Sequence, residues 1–244
     1  MRAIFSMMRN EVVFMPMWLD YYGRFFDNIY ILHHYTDKKP DLSDLHEKYK
    51  FREIPLKHIN KHDTKWLNKT IMDQQKKLLK KYDVVLFAEA DEFIIVDPFR
   101  WKDLGEYLDW FQKSDKDFVT CSGREVLQCE EPPINLKESI LPQRKYWWYF
   151  DSYYKTLLSK IPLNWAFGFH YTEEMKKEYN AEHQSKGHLG AYIKSLADPN
   201  LILVHLQKMD WDIYNSRGRF VGNKINFDKG KKVKVEIPKR FKMI

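Results

Sequence analysis

Short apolar runs alternate with stretches of helical spacing over the first half of the chain. Arg2 to Met7 is a candidate strand, followed by the polar loop Met8-Arg9-Asn10-Glu11. From Met15 to Phe25 the chain is amphipathic, with Met15, Trp18, Leu19 and Tyr22 at helical spacing. Asn28 to Leu32 follows as a second strand, then the polar segment His33 to Asp44, then a short third strand from Phe51 to Pro55. Asp63 or Thr64 is placed to cap a helix that carries Leu67, Ile71, Leu78 and Tyr82 on one stripe. Val84 to Ala88 is apolar without a polar face, and Lys102 to Gln112 sets Leu104, Tyr107, Leu108 and Phe111 on one helical face. This order predicts an α/β fold with a mainly parallel central sheet flanked by helices. The second half is less regular. Phe118 to Cys121 and Leu201 to His205 resemble strands and Trp211 to Phe220 a helix, while Gln143 to Lys160 is too crowded with aromatics to assign by period. No repeat, low-complexity stretch or linker divides the chain, which predicts one domain over residues 1–244.

The run from Val84 to Ala88 ends in three acids, Glu89, Asp91 and Glu92. A short β-branched and aromatic run is the pattern of a strand buried on both faces, as in a parallel sheet. Ligands of open α/β sheets bind beyond the carboxyl ends of such strands. Glu89 and Asp91 share parity, so an extended chain points both to the same side. Two carboxylates aimed together repel unless a cation separates them. Mg²⁺ or Mn²⁺, held by one or two carboxylates and completed by substrate phosphates, suits the arrangement. Taken by spacing alone, the same acids also suit a solvated loop after a core strand. Glu92, of opposite parity, is expected to be structural and paired with a Lys or Arg.

Composition narrows the class. Of the 244 residues 44% are hydrophobic and 16% aromatic, which excludes a disordered chain. No apolar run approaches the ~20 residues that span a bilayer, and the N-terminus reads as a strand, so a cytoplasmic protein is expected. Cys121 and Cys129 are too few for a disulfide framework and lack metal-site spacing. The net charge of +7 favours anionic partners. Much of the excess lies in Lys229-Gly230-Lys231-Lys232-Val233-Lys234 and Lys239-Arg240-Phe241-Lys242, which suits either a solvated end or peripheral contact with an anionic membrane or acceptor.

Four segments together resemble family 2-like glycosyltransferases of the GT-A fold. Met8-Arg9-Asn10-Glu11 with Trp18-Leu19-Asp20-Tyr21-Tyr22 is similar to that group's opening K/R-N-E pattern and the helix after it. Phe26 to Leu32 and then Tyr35-Thr36-Asp37 resemble its second strand and loop. Val85 to Phe93 is similar to its FxDxDEF metal-binding motif, and Gly168-Phe169-His170 and Val204-His205-Leu206-Gln207-Lys208 to its late histidine motifs. Two positions depart from the pattern. Glu89 stands where Asp is usual, and His33 where an Asp often contacts the base.

The resemblance implies a nucleotide-binding half over about residues 1–100, an acceptor and sugar half over about 101–228, and a basic tail at 229–244. It implies a metal-dependent hexosyl- or pentosyltransferase that uses a nucleoside-diphosphate sugar, UDP first, on a glycan, glycolipid or glycoprotein acceptor. Glu89, Asp91 and His205 would be metal ligands, with Mn²⁺ or Mg²⁺ as the ion. Arg9, Asn10, Asp37, Lys65, Asn68, Gln75, Glu89 and His170 would line the donor pocket. Asp151, Glu173, Glu174 and Asp210 are unranked candidates for the base that an inverting enzyme needs. The aromatic block Tyr146 to Phe150, with Tyr153 and Tyr154, suits a core strand, a platform for sugar rings or a membrane-docking surface. Two other functions compete: a metal-dependent phosphoryl-transfer enzyme or nuclease, and a non-catalytic glycan-binding module. No recognisable nuclease constellation is present, so no nucleic-acid partner is expected.

Overall fold

The computed structural model describes residues 1–9, 12–37, 39–58, 63–149, 153–183, 189–216, 227–228 and 230–241. Strand β1 (Arg2–Met8) leads through helix α1 (Met15–Tyr22) to β2 (Ile29–Tyr35). Helix α2 (Ser43–Lys48) precedes β3 (Arg52–Lys57), and α3 (Thr64–Leu79) precedes β4 (Val84–Phe87). The Asp63 side chain caps α3 by accepting the Trp66 N–H at 2.9 Å. These strands lie in the order β3-β2-β1-β4, all parallel. Both faces of β1 and β4 are covered. Ile4, Phe5, Leu86 and Phe87 join a core with Trp18, Leu19 and Tyr22 of α1 and Ile71 and Leu78 of α3. The apolar character of Val84 to Phe87 follows from that double burial.

Beyond β4 the chain turns, with the Glu92 N–H bonded to the Glu89 carbonyl at 3.0 Å, and enters β5 (Glu92–Val96). Helix α4 (Leu104–Lys113), capped by Asp103, buries Leu104, Tyr107, Leu108 and Phe111, the predicted stripe. Strand β6 (Phe118–Leu127) is followed by β7 (Tyr146–Trp148), β8 (Lys155–Ser159), helices α5 (Glu173–His183) and α6 (Leu189–Leu196), and β9 (Ala197–His205). Helix α7 (Trp211–Ser216) and β10 (Val235–Glu236) complete the described elements. β8 joins β4 antiparallel, while β6 runs antiparallel to β7 and β8 and parallel to β9. β5 pairs antiparallel with β9, and β10 with β7. The result is a mixed α/β architecture with one continuous sheet. A parallel block forms the first half, and mostly antiparallel strands extend the same sheet from β4.

Three expectations need adjustment. The acids after β4 lie in a turn rather than on an extended strand, so the shared parity of Glu89 and Asp91 does not apply. The predicted strand Phe118 to Cys121 runs on to Leu127, through a register shift between Cys121 and Ser122. Within residues 230–241 the tail is anchored rather than wholly solvated: Ile237 and Phe241 are buried, with Phe241 5.5 Å from the ring of Trp147, while Lys232, Lys234 and Lys239 are exposed. Tyr146–Trp148 of the aromatic block form an internal strand, with Trp147 and Trp148 buried on β7 and Tyr149 after it exposed, while Phe150 lies outside the described residues. Both cysteines are free. Among the described residues no helix is long and apolar enough to cross a membrane.

Candidate active site

Register across four neighbouring strands builds the site. Glu92 on β5 is opposite His205 on β9, His205 is opposite Glu125 on β6, and Glu125 is opposite Trp148 on β7. Residues in register present their side chains to the same face. A row of two carboxylates, an imidazole and an indole therefore crosses the sheet beside the turn that follows β4. Because β8 runs antiparallel to β4, it begins, at Lys155, near the point where β4 ends. Tyr22 of α1 secures the start of β5. Its hydroxyl donates to the Glu92 carbonyl at 3.2 Å and accepts the Ile94 N–H at 2.9 Å.

Two charge clusters meet at this tip. In the first, the Lys155 ammonium sits 2.5 Å from both Glu89 and Glu92. Glu92 is fully buried, Lys155 is 5% exposed, and Glu89 is partly open to solvent. Burial alone lowers the Lys155 pKa, but the two carboxylates outweigh it and hold the ammonium above its ordinary value. Burial raises the Glu92 carboxyl, against the pull of Lys155. Glu92 is thus the lysine-paired acid that its position predicts. Glu89, expected beside Asp91 on a metal, shares that same lysine.

In the second cluster, His205 stands between two buried carboxylates. Its Nδ1 is 2.7 Å from Glu125 Oε2, and its Nε2 is 3.7 Å from Asp91 Oδ2. The second oxygen of Glu125 accepts the Lys208 N–H at 2.9 Å. Burial works to lower the His205 pKa, but Glu125 and Asp91 prevail and hold it at about 9. The ring of Tyr153 lies 5.1 Å from that of His205. Trp148 and the Lys208 side chain lie on the same wall, with the ammonium 5.1 Å from the indole.

His170 completes the tip. Gly168 and Phe169 both have left-handed backbones, with φ of 76° and 63°. Such a conformation is strained for an aromatic residue. Phe169 is held there by contacts with Phe87 and Trp165, whose ring centroids are 4.9 and 5.5 Å away. The turn brings the His170 ring over Gly168, where an added Cβ would stand 2.7 Å from Nε2. His170 Nδ1 donates to the Tyr154 carbonyl at 3.2 Å. Burial first, and then the Lys155 cation, push its pKa down to about 4.

The remaining sequence candidates are dispersed. Arg9 follows β1 at the same sheet edge and is half-buried, while Asp37 and Lys65 are exposed. Asn68 donates to the Ala166 carbonyl at 3.3 Å, at the root of the His170 turn. Gln75, expected to line a donor pocket, faces the core. It is fully buried and bonds Ser159 Oγ at 2.8 Å and the Leu163 N–H at 2.9 Å. Glu173 and Glu174 lie exposed in the first turn of α5, where acids favour the helix dipole. Asp210 caps α7 by accepting the Asp212 and Ile213 N–H groups, and it faces Arg144 at 3.6 Å. These placements make helix-terminal roles the physical account of three of the four proposed bases. Asn10 and Asp151 lie outside the described residues.

Glu125 and Lys155 are the site residues the sequence reading misses. A strand continued past Cys121 would place Glu125 on the same face as Gly123 and Leu127, and a lone Lys before Thr156-Leu157-Leu158 is the matching signal. Glu53 is a further one. It takes His33 Nδ1 at 2.8 Å and Lys39 at 2.9 Å, and so sets a carboxylate beside the position where the family pattern has Asp.

Asp91 and His205 fit a divalent ion by donor type. One hard oxygen and one imidazole nitrogen face each other, and a carboxylate supports the imidazole from behind. Among the described residues no group of three His, Cys, Asp or Glu is arranged to hold a metal. Two protein ligands suffice for an ion that substrate phosphates and water complete.

No protein-family model matches the chain, and no curated protein sequence matches it. Among solved structures it is similar to a Desulfovibrio desulfuricans G20 protein named provisionally as a nucleotide-diphospho-sugar transferase. That likeness is 11% identical, spans 94% of this chain and 90% of the other, and has a TM-score of 0.37. It is also similar to TarS 1-349 of S. aureus, at 9% identity over 93% of this chain and 68% of that one, with a TM-score of 0.34. Identities and TM-scores at this level carry no weight for the chemistry of the site.

Proposed function

We propose that the protein is a metal-dependent glycosyltransferase that moves a sugar from a nucleoside-diphosphate sugar, UDP first, to a glycan, glycolipid or glycoprotein acceptor. One observation supports this reading above the rest: Asp91 and His205 oppose each other at 3.7 Å beyond the carboxyl end of a parallel strand. Donor diphosphates belong at that edge of an α/β sheet. Asp91 and His205 would hold Mn²⁺ or Mg²⁺, which when bound offsets the charge of the diphosphate leaving group.

The chain's own groups have separate tasks. Lys155 offsets one of the two charges of Glu89 and Glu92, so the tip repels an incoming diphosphate less than four bare carboxylates would. Glu89, the partly exposed member of that trio, would meet a ribose or sugar hydroxyl. His170, neutral at pH 7 with Nδ1–H on Tyr154, keeps Nε2 as an acceptor for a substrate hydroxyl. Tyr153, half-buried beside His205, offers an aromatic face against which the C–H face of a sugar can pack.

A thermal-shift panel of UDP, GDP and dTDP, with and without Mn²⁺, tests the reading. One nucleotide should stabilise the fold only with metal, by roughly 2–3 kcal/mol at a hundredfold excess over Kd. Stabilisation that is equal with and without Mn²⁺, or absent for every nucleotide, contradicts it.

A further inference from the structure

We propose that Glu125 is a positioning residue that sets the His205 ring so that Nε2 faces Asp91, as the nitrogen that would give up its proton to a bound metal. The inference rests on the glycosyltransferase reading and adds to it a residue that no motif contains. Three observations carry it. Glu125 is fully buried on β6, and sheet register puts it directly opposite His205. Its Oε2 lies 2.7 Å from His205 Nδ1, so that nitrogen is the donor and Nε2 faces Asp91 Oδ2 at 3.7 Å. Its Oε1 accepts the Lys208 N–H at 2.9 Å, which ties the carboxylate to the turn just past β9 and prevents it from rotating away.

The competing account is that Glu125 only holds the 205–208 turn together. Glu125→Gln separates the two. The amide oxygen still accepts the Lys208 N–H, so the turn keeps its bond. The amide NH₂ now faces Nδ1, which must then accept. The neutral ring that metal binding requires would then keep its proton on Nε2, the nitrogen that faces Asp91. Loss of a carboxylate behind a ligating histidine costs about 10–100-fold in metal affinity.

Mn²⁺ affinity is read by electron paramagnetic resonance on the whole chain with UDP present, against Mn²⁺ and UDP without protein, for wild type, D91N, E125Q, H205Q and the E125Q/H205Q pair. Urea midpoints report folding in parallel. D91N should abolish binding. E125Q should weaken it about 10–100-fold with a midpoint near wild type, and should add little once His205 is already replaced. E125Q that binds Mn²⁺ like wild type, while D91N does not, overturns the role of Glu125 and leaves the site reading standing. So does an E125Q loss that adds in full on the H205Q background. D91N that binds as wild type does overturns both. Should E125Q fail to fold, Glu125→Asp carries the test, because it retains the charge but draws it back by one methylene. A several-fold loss supports the inference, and unchanged affinity overturns it.

Discussion

Lys155 is the residue on which the electrostatics of the tip turn. Two carboxylates converge beside β4, and the cation between them is a side chain that β8 carries into the core. Removing one partner of a buried pair leaves an uncompensated charge, at about 3–5 kcal/mol. Lys155→Met should lower the unfolding free energy by that order in urea titration. The Lys155→Met/Glu92→Gln double variant should lose less than the single one, because Glu92 is the fully buried acid. His170 makes the opposite prediction about pH. Its folded pKa of about 4 lies below that of an unfolded histidine, so the unfolded chain binds the proton first. Its effect on stability is therefore nil well above pH 6.5, and it destabilises as the pH falls from there through about 4. Between pH 7 and pH 5 wild type should lose roughly 1–2 kcal/mol more than His170→Gln, by urea unfolding at each pH. Equal losses in the two chains would remove His170 from this account.

Elements succeed or fail as sequence signals according to how local their causes are. The stripes Met15/Trp18/Leu19/Tyr22 and Leu104/Tyr107/Leu108/Phe111 are legible because each helix buries one face, and both are buried as predicted. Strand β4 is legible because both its faces are covered. The turn after it is not, since nothing in Glu89-Ala90-Asp91 marks the change from extended chain to turn that separates the two acids. Helices α5 and α6 lack a strong signal because little of them is buried in a shared core: Met175, Tyr179 and Ile193 are their main buried apolar residues. The Gly168–Phe169 turn is illegible for a different reason. It is held by long-range contacts of Phe169 with Phe87 and Trp165 that only the fold supplies. Gly168→Ala should strain that turn, since φ is 76° and the new Cβ would press on His170. A loss of about 1–2 kcal/mol is expected, together with weaker donor binding in calorimetry. An unchanged melting temperature and donor affinity would contradict the placement of His170.

At the scale of the whole molecule, the sheet brings together residues more than a hundred positions apart, and this decides what the sequence can reveal. Asp91 and His205 are readable because each ends an apolar run and matches a motif of the resembled family. Glu125 and Lys155 are not, because their place in the site depends on the pairing of β6 with β9 and of β8 with β4, which no local pattern specifies. The tail follows the same rule. Its lysines read as a solvated end, yet Ile237 and Phe241 among them are buried against the second core. The central claim is that Asp91 and His205 hold a divalent ion together with the donor diphosphate. A crystal soaked with UDP and Mn²⁺, measured for manganese anomalous scattering, tests it most directly. The account predicts an anomalous peak between Asp91 Oδ2 and His205 Nε2, with diphosphate oxygens bound to the same ion. A bound nucleotide with no peak there, or with its diphosphate remote from both side chains, would contradict it.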